Sequence, residues 1–205
     1  MGKIVMQEYK KKIEPNEVEE FPVFLYKGEI IVVDRPEQVA AAVADLKNNS
    51  VLGFDTETKP SFKKGVVHHV GLLQLASEER VYLFRLNKCG LPYPLRELLV
   101  NEEVMKVGVG IRDDIRALRK IADFPPASFL DLQLFVKAFG IEEMSFSKLM
   151  SIVFGVKISK RQRTSNWEAP VLTTAQIRYA ATDAWGALKM YEALRSGEKQ
   201  DILLP

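Results

Sequence analysis

The sequence predicts an α/β domain, a mixed sheet with helices packed on its faces. Three observations predict it. Short apolar, β-branched runs fill the first half, helical periodicities interleave with them later, and 205 residues with 47% hydrophobic content suffice for one fairly large core. Residues 1–20 are charged and lack periodicity, so they read as an N-terminal extension leading into a single domain over 21–205. "EIIVVD" (29–34) reads as a short buried strand, and "DRPEQVAAAVADLK" as a helix opened by Asp34 with Pro36 and Glu37 in its first turn. "SVLGFDTET" is the next strand. "GVVHHVGLLQLAS" and "RVYLFRL", separated by the charged "EER", have the pattern of a hairpin. A short helix follows at 94–99, then "VMKVGVG" as a strand and "IRDDIRALRKIA" as the helix it feeds. Residues 128–195 read as mostly helical, and no repeat or low-complexity segment interrupts the order.

Composition narrows the function classes. Twenty-nine basic against 27 acidic residues leave a net charge of +2, which excludes a polycation that coats nucleic acid non-specifically. Any polyanion must be held locally. The single Cys89 excludes an internal disulfide framework and a Cys-based zinc site, and it fits a reducing interior. No apolar run has signal-peptide or bilayer-spanning length. The expectation is a soluble intracellular protein with no membrane partner, cytoplasmic in a bacterium, with the nucleus open in a eukaryote.

Three stretches carry chemistry. In "GFDTET" (53–58) the alternation of a strand puts Asp55 and Glu57 on one face, where they can grip one cation. About 3.5 acid-x-acid pairs arise by chance from 27 acids in 205 positions, so a bare pair reads as a solvated strand end. This pair, however, follows an apolar strand headed for a core, where two uncompensated carboxylates are costly and a cation resolves the conflict. In "VGVGIRDDIRAL" (107–118) Asp113 and Asp114 sit in the first turn of a helix. One acid suffices to complement the helix dipole; the other is free to face the carboxyl edge of the sheet, where open α/β sheets place their sites. In "LTTAQIRYAATDAWGALKMYEAL" (172–194) Thr173 and Gln176 form a capping box, and Ile177, Ala180, Ala181, Ala184, Leu188 and Tyr191 give an apolar stripe. Tyr179 and Asp183, four apart, lie on neighbouring turns of one face beside alanines small enough to let the helix approach the sheet.

In this order, "DTE", an acid at a strand-to-helix junction and "YAATD" resemble the three motifs of the DEDD superfamily of exonucleases, tyrosine branch. The resemblance covers residues 29–195 and is strongest to the exonuclease domain of the Werner syndrome protein and its stand-alone relatives, through "GFDTE", "VGVGI..D" and "SNW" before "LT..Q..YAATDA". Bacterial ribonuclease D is next. The resemblance implies a ribonuclease H-like (DnaQ-like exonuclease) fold and removal of nucleotides from a free 3′ end. It selects Asp114 over Asp113, and it places Tyr179 where the histidine branch would carry His one position earlier, at Arg178. A phosphodiester repels hydroxide, so two hard cations, Mg²⁺ or Mn²⁺, suit these oxygen ligands. Asp55 is assigned as the bridging ligand, Glu57 and Asp183 to the ion that activates water, and Asp114 to the second ion through its water shell. Tyr179 orients the attacking water, because a phenol is too weak a base at neutral pH to be the main proton acceptor.

Substrate contacts are expected from Lys160 or Arg163 in "KISKRQRTSNW" (157–167), a basic loop that also holds Lys157 and Arg161. Thr56 and Thr58 flank Glu57 and are expected near the terminal nucleotide. His68 and His69 are adjacent, face opposite ways on a strand and match no ligand spacing. Trp167 is expected to pack. The reading is a metal-dependent 3′-5′ exonuclease acting on nucleic acid with a free 3′ end, DNA favoured over RNA. Its alternatives are a ribonuclease D-like exoribonuclease and a catalytically silent nucleic-acid-binding domain. The chain ends soon after the last helix, without the helical modules of ribonuclease D, so processivity is expected to be low.

Overall fold

A computed structural model describes residues 8–63, 65–197 and residue 202. In chain order the first half holds α1 (Pro15–Glu20), β1 (Val23–Phe24), β2 (Glu29–Val33), α2 (Pro36–Leu46), β3 (Val51–Thr58), β4 (Val70–Ala76), β5 (Arg80–Phe84), α3 (Leu86–Cys89) and α4 (Tyr93–Val100). The second half holds β6 (Met105–Gly108), α5 (Arg112–Arg119), β7 (Phe129–Asp131), α6 (Leu132–Phe135), a 3₁₀ turn at Val136–Phe139, α7 (Phe146–Phe154), β8 (Lys157–Ile158) and α8 (Thr174–Ser196). Six strands form one mixed sheet in the order β2-β5-β4-β3-β6-β7. β4 runs antiparallel to both neighbours, and the other pairs are parallel.

The sequence pattern explains the layers. Every residue of β4 is buried, as expected of a central strand covered on both faces. Leu72 and Ala76 face α8 and α7, whereas Leu73 and Leu75 join Phe54, Val43 and Leu98 in a second core under α2 and α4. α8 begins at the predicted capping box: the Gln176 N–H donates to Thr173 Oγ1 at 3.2 Å, and Gln176 Oε1 accepts the Thr173 N–H at 3.0 Å. One charged residue lies inside the second core. Lys106 on β6 is fully buried, and its Nζ donates to the carbonyls of Leu98 in the last turn of α4 and of Asn101 and Val104 just beyond it. Burial lowers its pKa to about 8.

Several expectations are revised. Within the segment expected as an extension, residues 1–7 lie outside the described residues, but contacts with the domain begin at Tyr9, whose ring meets Phe139 edge-on at 6.4 Å. α1 forms there, Ile13 is 2% exposed, and the Glu142 N–H donates to the Lys11 carbonyl at 2.8 Å. Charge masks this because only every few residues touch the body. β2 is an edge strand with only Val33 fully buried, not a buried one. Asp34 does not cap α2: Gln38 reaches back to the N–H groups of Asp34 and Arg35, and Asp34 pairs with Lys88 at 3.3 Å. The hairpin strand starts at Val70, and residues 128–195 also contain β7 and β8, the latter paired in parallel with β1. Cys89 is buried and unpaired, and burial raises its thiol to about 11. No helix among the described residues is long and apolar enough to cross a membrane.

Candidate active site

The site is built where α8 meets β3. Phe54 packs into the core under α2, which turns Asp55 and Glu57 toward α8. Helix and strand touch backbone to backbone at Gly53, where a Cβ would stand 1.9 Å from the Ala184 carbonyl oxygen and 3.1 Å from Leu188 Cβ. No larger residue fits without holding the helix away. This approach sets Asp183, the residue before Ala184, against the carboxylates of β3. Carboxylate oxygens of Asp55, Glu57 and Asp183 lie within 4.8 Å of one another.

The electrostatics of this group are unfavourable without a cation. Glu57 is 8% and Asp183 9% exposed, and Asp183 Oδ1 is buried with no hydrogen-bond partner. Among the described residues no Lys, Arg or His pairs with any of the three. Burial first, then the charges of Asp183, Glu57 and Asp114, hold the Asp55 carboxyl well above the usual range. Burial, then Asp183 and Asp114, push Glu57 up to about 9. Burial raises Asp183 to about 7, with the Tyr179 hydroxyl pulling the other way. Three mutually repelling carboxylates, two buried and Asp55 half-buried, with one orphaned oxygen fit a hard divalent cation, whose charge would reverse each of these shifts.

Asp114 stands outside this group. It accepts from Thr56 Oγ1 at 2.5 Å, and burial raises its pKa while Thr56 lowers it. Asp113 points the other way, 85% exposed and paired with Arg116 at 2.6 Å. The turn that presents Asp114 is braced by a residue the sequence reading did not select. Gly110, at φ +72°, donates its N–H to Asp131 Oδ1 at 2.9 Å, and the same oxygen caps α6 through the Gln133 N–H. An Asp at the start of a short helix is the signal that would have found it.

Tyr179 lies one turn before Asp183. Its buried ring packs on Trp167, centroids 6.1 Å apart, so Trp167 is a packing residue as expected and fixes the tyrosine. Burial, then the charges of Asp183, Glu57 and Asp55, raise the phenol above its ordinary value, so it keeps its proton. Arg178 is turned to the Tyr26 carbonyl at 3.0 Å.

Asp55, Thr56, Glu57, Tyr179 and Asp183 line a cleft of about 280 Å³, faced by Lys160 and Arg163 from the loop after β8 and by Ser145 and Phe146 at the start of α7. Thr58 does not line it; it is the exposed last residue of β3, past a register shift after Glu57. Lys157 is taken up by the Glu19 carbonyl at 2.7 Å. His68 lies 3.7 Å from Glu168, and neither it nor His69 joins the carboxylate group.

A family model described as 3′-5′ exonuclease matches residues 30–197. The chain belongs to the 3′-5′ exonuclease family. It is 36% identical over 155 residues to the bifunctional 3′-5′ exonuclease/ATP-dependent helicase WRN of Mus musculus, covering 73% of this chain and 11% of that protein. It is 37% identical over 158 residues to exonuclease 3′-5′ domain-containing protein 2 of Drosophila melanogaster, covering 73% and 27%. The chain thus spans well under a third of either relative. Among solved structures, the Nibbler EXO domain of Aedes aegypti superposes with a TM-score of 0.75 at 27% identity, covering 86% of this chain and 91% of that one. Escherichia coli RNase D superposes with a TM-score of 0.72 at 21% identity, covering 84% and 44%. The ribonuclease H-like exonuclease fold implied by the motifs is therefore the fold of this chain. Exonucleases of this family are metal-dependent, and Asp55, Glu57 and Asp183 form a group able to hold an ion.

Proposed function

We propose that this chain hydrolyses phosphodiester bonds from the 3′ end of nucleic acid, with DNA as the preferred strand and Mg²⁺ or Mn²⁺ as the metal. One observation carries the proposal: three carboxylates with no cationic partner, Glu57 and Asp183 buried and Asp55 half-buried, converge within 4.8 Å on the cleft that Tyr179 lines. Bound divalent cations would supply a water of lowered pKa and take up charge on the leaving oxygen. Asp55 would be shared between two ions, Glu57 and Asp183 would hold the one beside Tyr179, and Asp114 the other. The Tyr179 hydroxyl, kept protonated, orients the attacking water and does not deprotonate it. Lys160 and Arg163, across the cleft, hold a backbone phosphate, and Thr56 borders the terminal nucleotide. Thr58 lies outside the cleft.

DNA is preferred on the strength of the 36% identity to the WRN-type relative. The second reading, an exoribonuclease, is supported by the 28% identity over 167 residues to the ribonuclease D of Gluconacetobacter diazotrophicus. Matched DNA and RNA strands, labelled at the 3′ or the 5′ end, are incubated with Mg²⁺, Mn²⁺ or EDTA and resolved by length. The expected result is early release of the 3′ label, stepwise shortening of 5′-labelled DNA, and no reaction in EDTA. Faster loss of RNA would overturn the DNA preference. Intact strands under every metal would favour the silent binding domain.

A further inference from the structure

Gln74 is the one polar side chain in the apolar run "VGLLQLA" of β4. It is 0% exposed, and neither its Nε2 nor its Oε1 has a hydrogen-bond partner. Buried amides are almost always bonded, so an amide with both ends unsatisfied calls for an explanation. Its address supplies one. Gln74 is the register partner of Asp55 across the β3–β4 ladder, and Glu57 is paired with Leu72, the next residue on the same face. Residues directly opposite on antiparallel strands have Cβ atoms about 4.5–5.5 Å apart and point to the same face, with diagonal neighbours still within reach of long side chains. On its other flank Gln74 is paired with Leu83, and Leu72 and Ala76 lie above and below it, all apolar. Asp55 opposite and Glu57 on the diagonal are therefore the polar side chains that its register sets beside it.

We infer that Gln74 is a positioning residue for the metal site. With a divalent cation held by Asp55, Glu57 and Asp183, a turn of the Gln74 amide, which has no partner in this structure, would bring its N–H to one oxygen of Asp55 and leave the other for the cation. An apolar residue in this slot would pack better against Leu72, Leu83 and α8, so a structural role alone does not account for the amide. The inference rests on the reading of Asp55 as a cation ligand.

The test uses the whole chain and Mn²⁺ alone, followed by the loss of the free-ion paramagnetic resonance signal, beside thermal unfolding of metal-free protein. Gln74→Met keeps the volume and removes both polar atoms. It is expected to unfold at a higher temperature than wild type without metal, yet to bind Mn²⁺ about 10–100-fold more weakly, as loss of an orienting partner to a ligand does. Raising the Mn²⁺ concentration is expected to restore the exonuclease rate. Gln74→Leu provides the same test if the methionine variant does not fold. Asp55→Asn separates the two ideas. Lost Mn²⁺ binding in Asp55→Asn together with wild-type affinity in the folded Gln74 variants overturns the role of Gln74 alone. Intact binding in Asp55→Asn overturns the ligand reading and this inference with it.

Discussion

Substituting Gly53 by Ala tests the geometry that assembles the site. On propensity alone alanine is favoured, since glycine inside a strand is destabilising by roughly 0.5–1 kcal/mol. The clash decides the sign. The new methyl would sit 1.9 Å from the Ala184 carbonyl oxygen, and real Cβ contacts do not fall below 3.0 Å. Backbone cannot rotate away as a flexible side chain does, so α8 must retreat from β3 by about 1 Å, a misplacement that can lower an enzymatic rate on the order of 10²-fold. Asp183 travels with Ala184, and the three-carboxylate group opens. Overpacking of this kind destabilises by about 1–3 kcal/mol. For a chain of this size that is a fall in Tm of about 2–12 °C. The assay is single-turnover cleavage of a 3′-labelled strand at saturating Mg²⁺, run beside calorimetry. A folded Gly53→Ala protein with the wild-type rate and an unchanged or higher Tm would refute the claim that backbone contact at Gly53 sets the site.

Other outcomes follow from single side chains. Tyr179→Phe removes one positioning hydroxyl and is expected to slow the chemical step on the order of 10²-fold while leaving strand affinity, titrated in Ca²⁺, unchanged; an unaltered rate would make Tyr179 a packing residue only. Asp114→Asn is expected to lower the rate about 10–100-fold, whereas Asp113→Asn, exposed and paired only at the surface, stays near wild type; equal losses would mean that both acids act. For pH, Glu57 and Asp183 have native pKa values of about 9 and about 7, raised from 4.5 and 3.8. Between those limits the native state binds protons that the unfolded chain has released, so their stabilising contribution is full below the unfolded values and lost as pH rises through 7 and then 9. Metal-free protein is therefore expected to melt progressively lower over that window, Mn²⁺ to reverse the fall, and Glu57→Gln to flatten it. A Tm that holds or rises over the window in metal-free wild type would contradict the burial of these acids.

Much of the site is legible in the sequence because its geometry is local. Asp55 and Glu57 share a face through the two-residue period of a strand, and Tyr179 and Asp183 through one turn of a helix whose start is marked by Thr173 and Gln176. What was missed depends on distant partners. β7 and β8, three and two residues long, show no period and exist only because β6 and β1 offer them edges. Asp34 looked like a helix cap, but Lys88 from another element claims it and Gln38 takes its place. Thr58 is next to Glu57 in sequence, but it stands exposed at the strand end, past a register shift. Lys106 and Gln74 are single polar letters in apolar runs, and no pattern tells a buried amine bonded to three carbonyls from a surface residue.

The matched span of the family begins at residue 30, yet the scaffolding of the cleft begins earlier. Tyr26 is fully buried and donates its N–H to Thr182 Oγ1, on the residue next to Asp183, at 3.0 Å. Phe24 stacks on Trp185, and the Lys157 N–H is tied to the Pro22 carbonyl at 2.9 Å, just before the loop that carries Lys160 and Arg163. A fragment trimmed to the homologous span would keep all five motif residues and lose the ties to the helix and loop on either side of them. Its inactivity would then say nothing about those five residues. Ancestry marks where the chemistry lies, but the mechanical frame of this cleft starts at least as far back as Pro22.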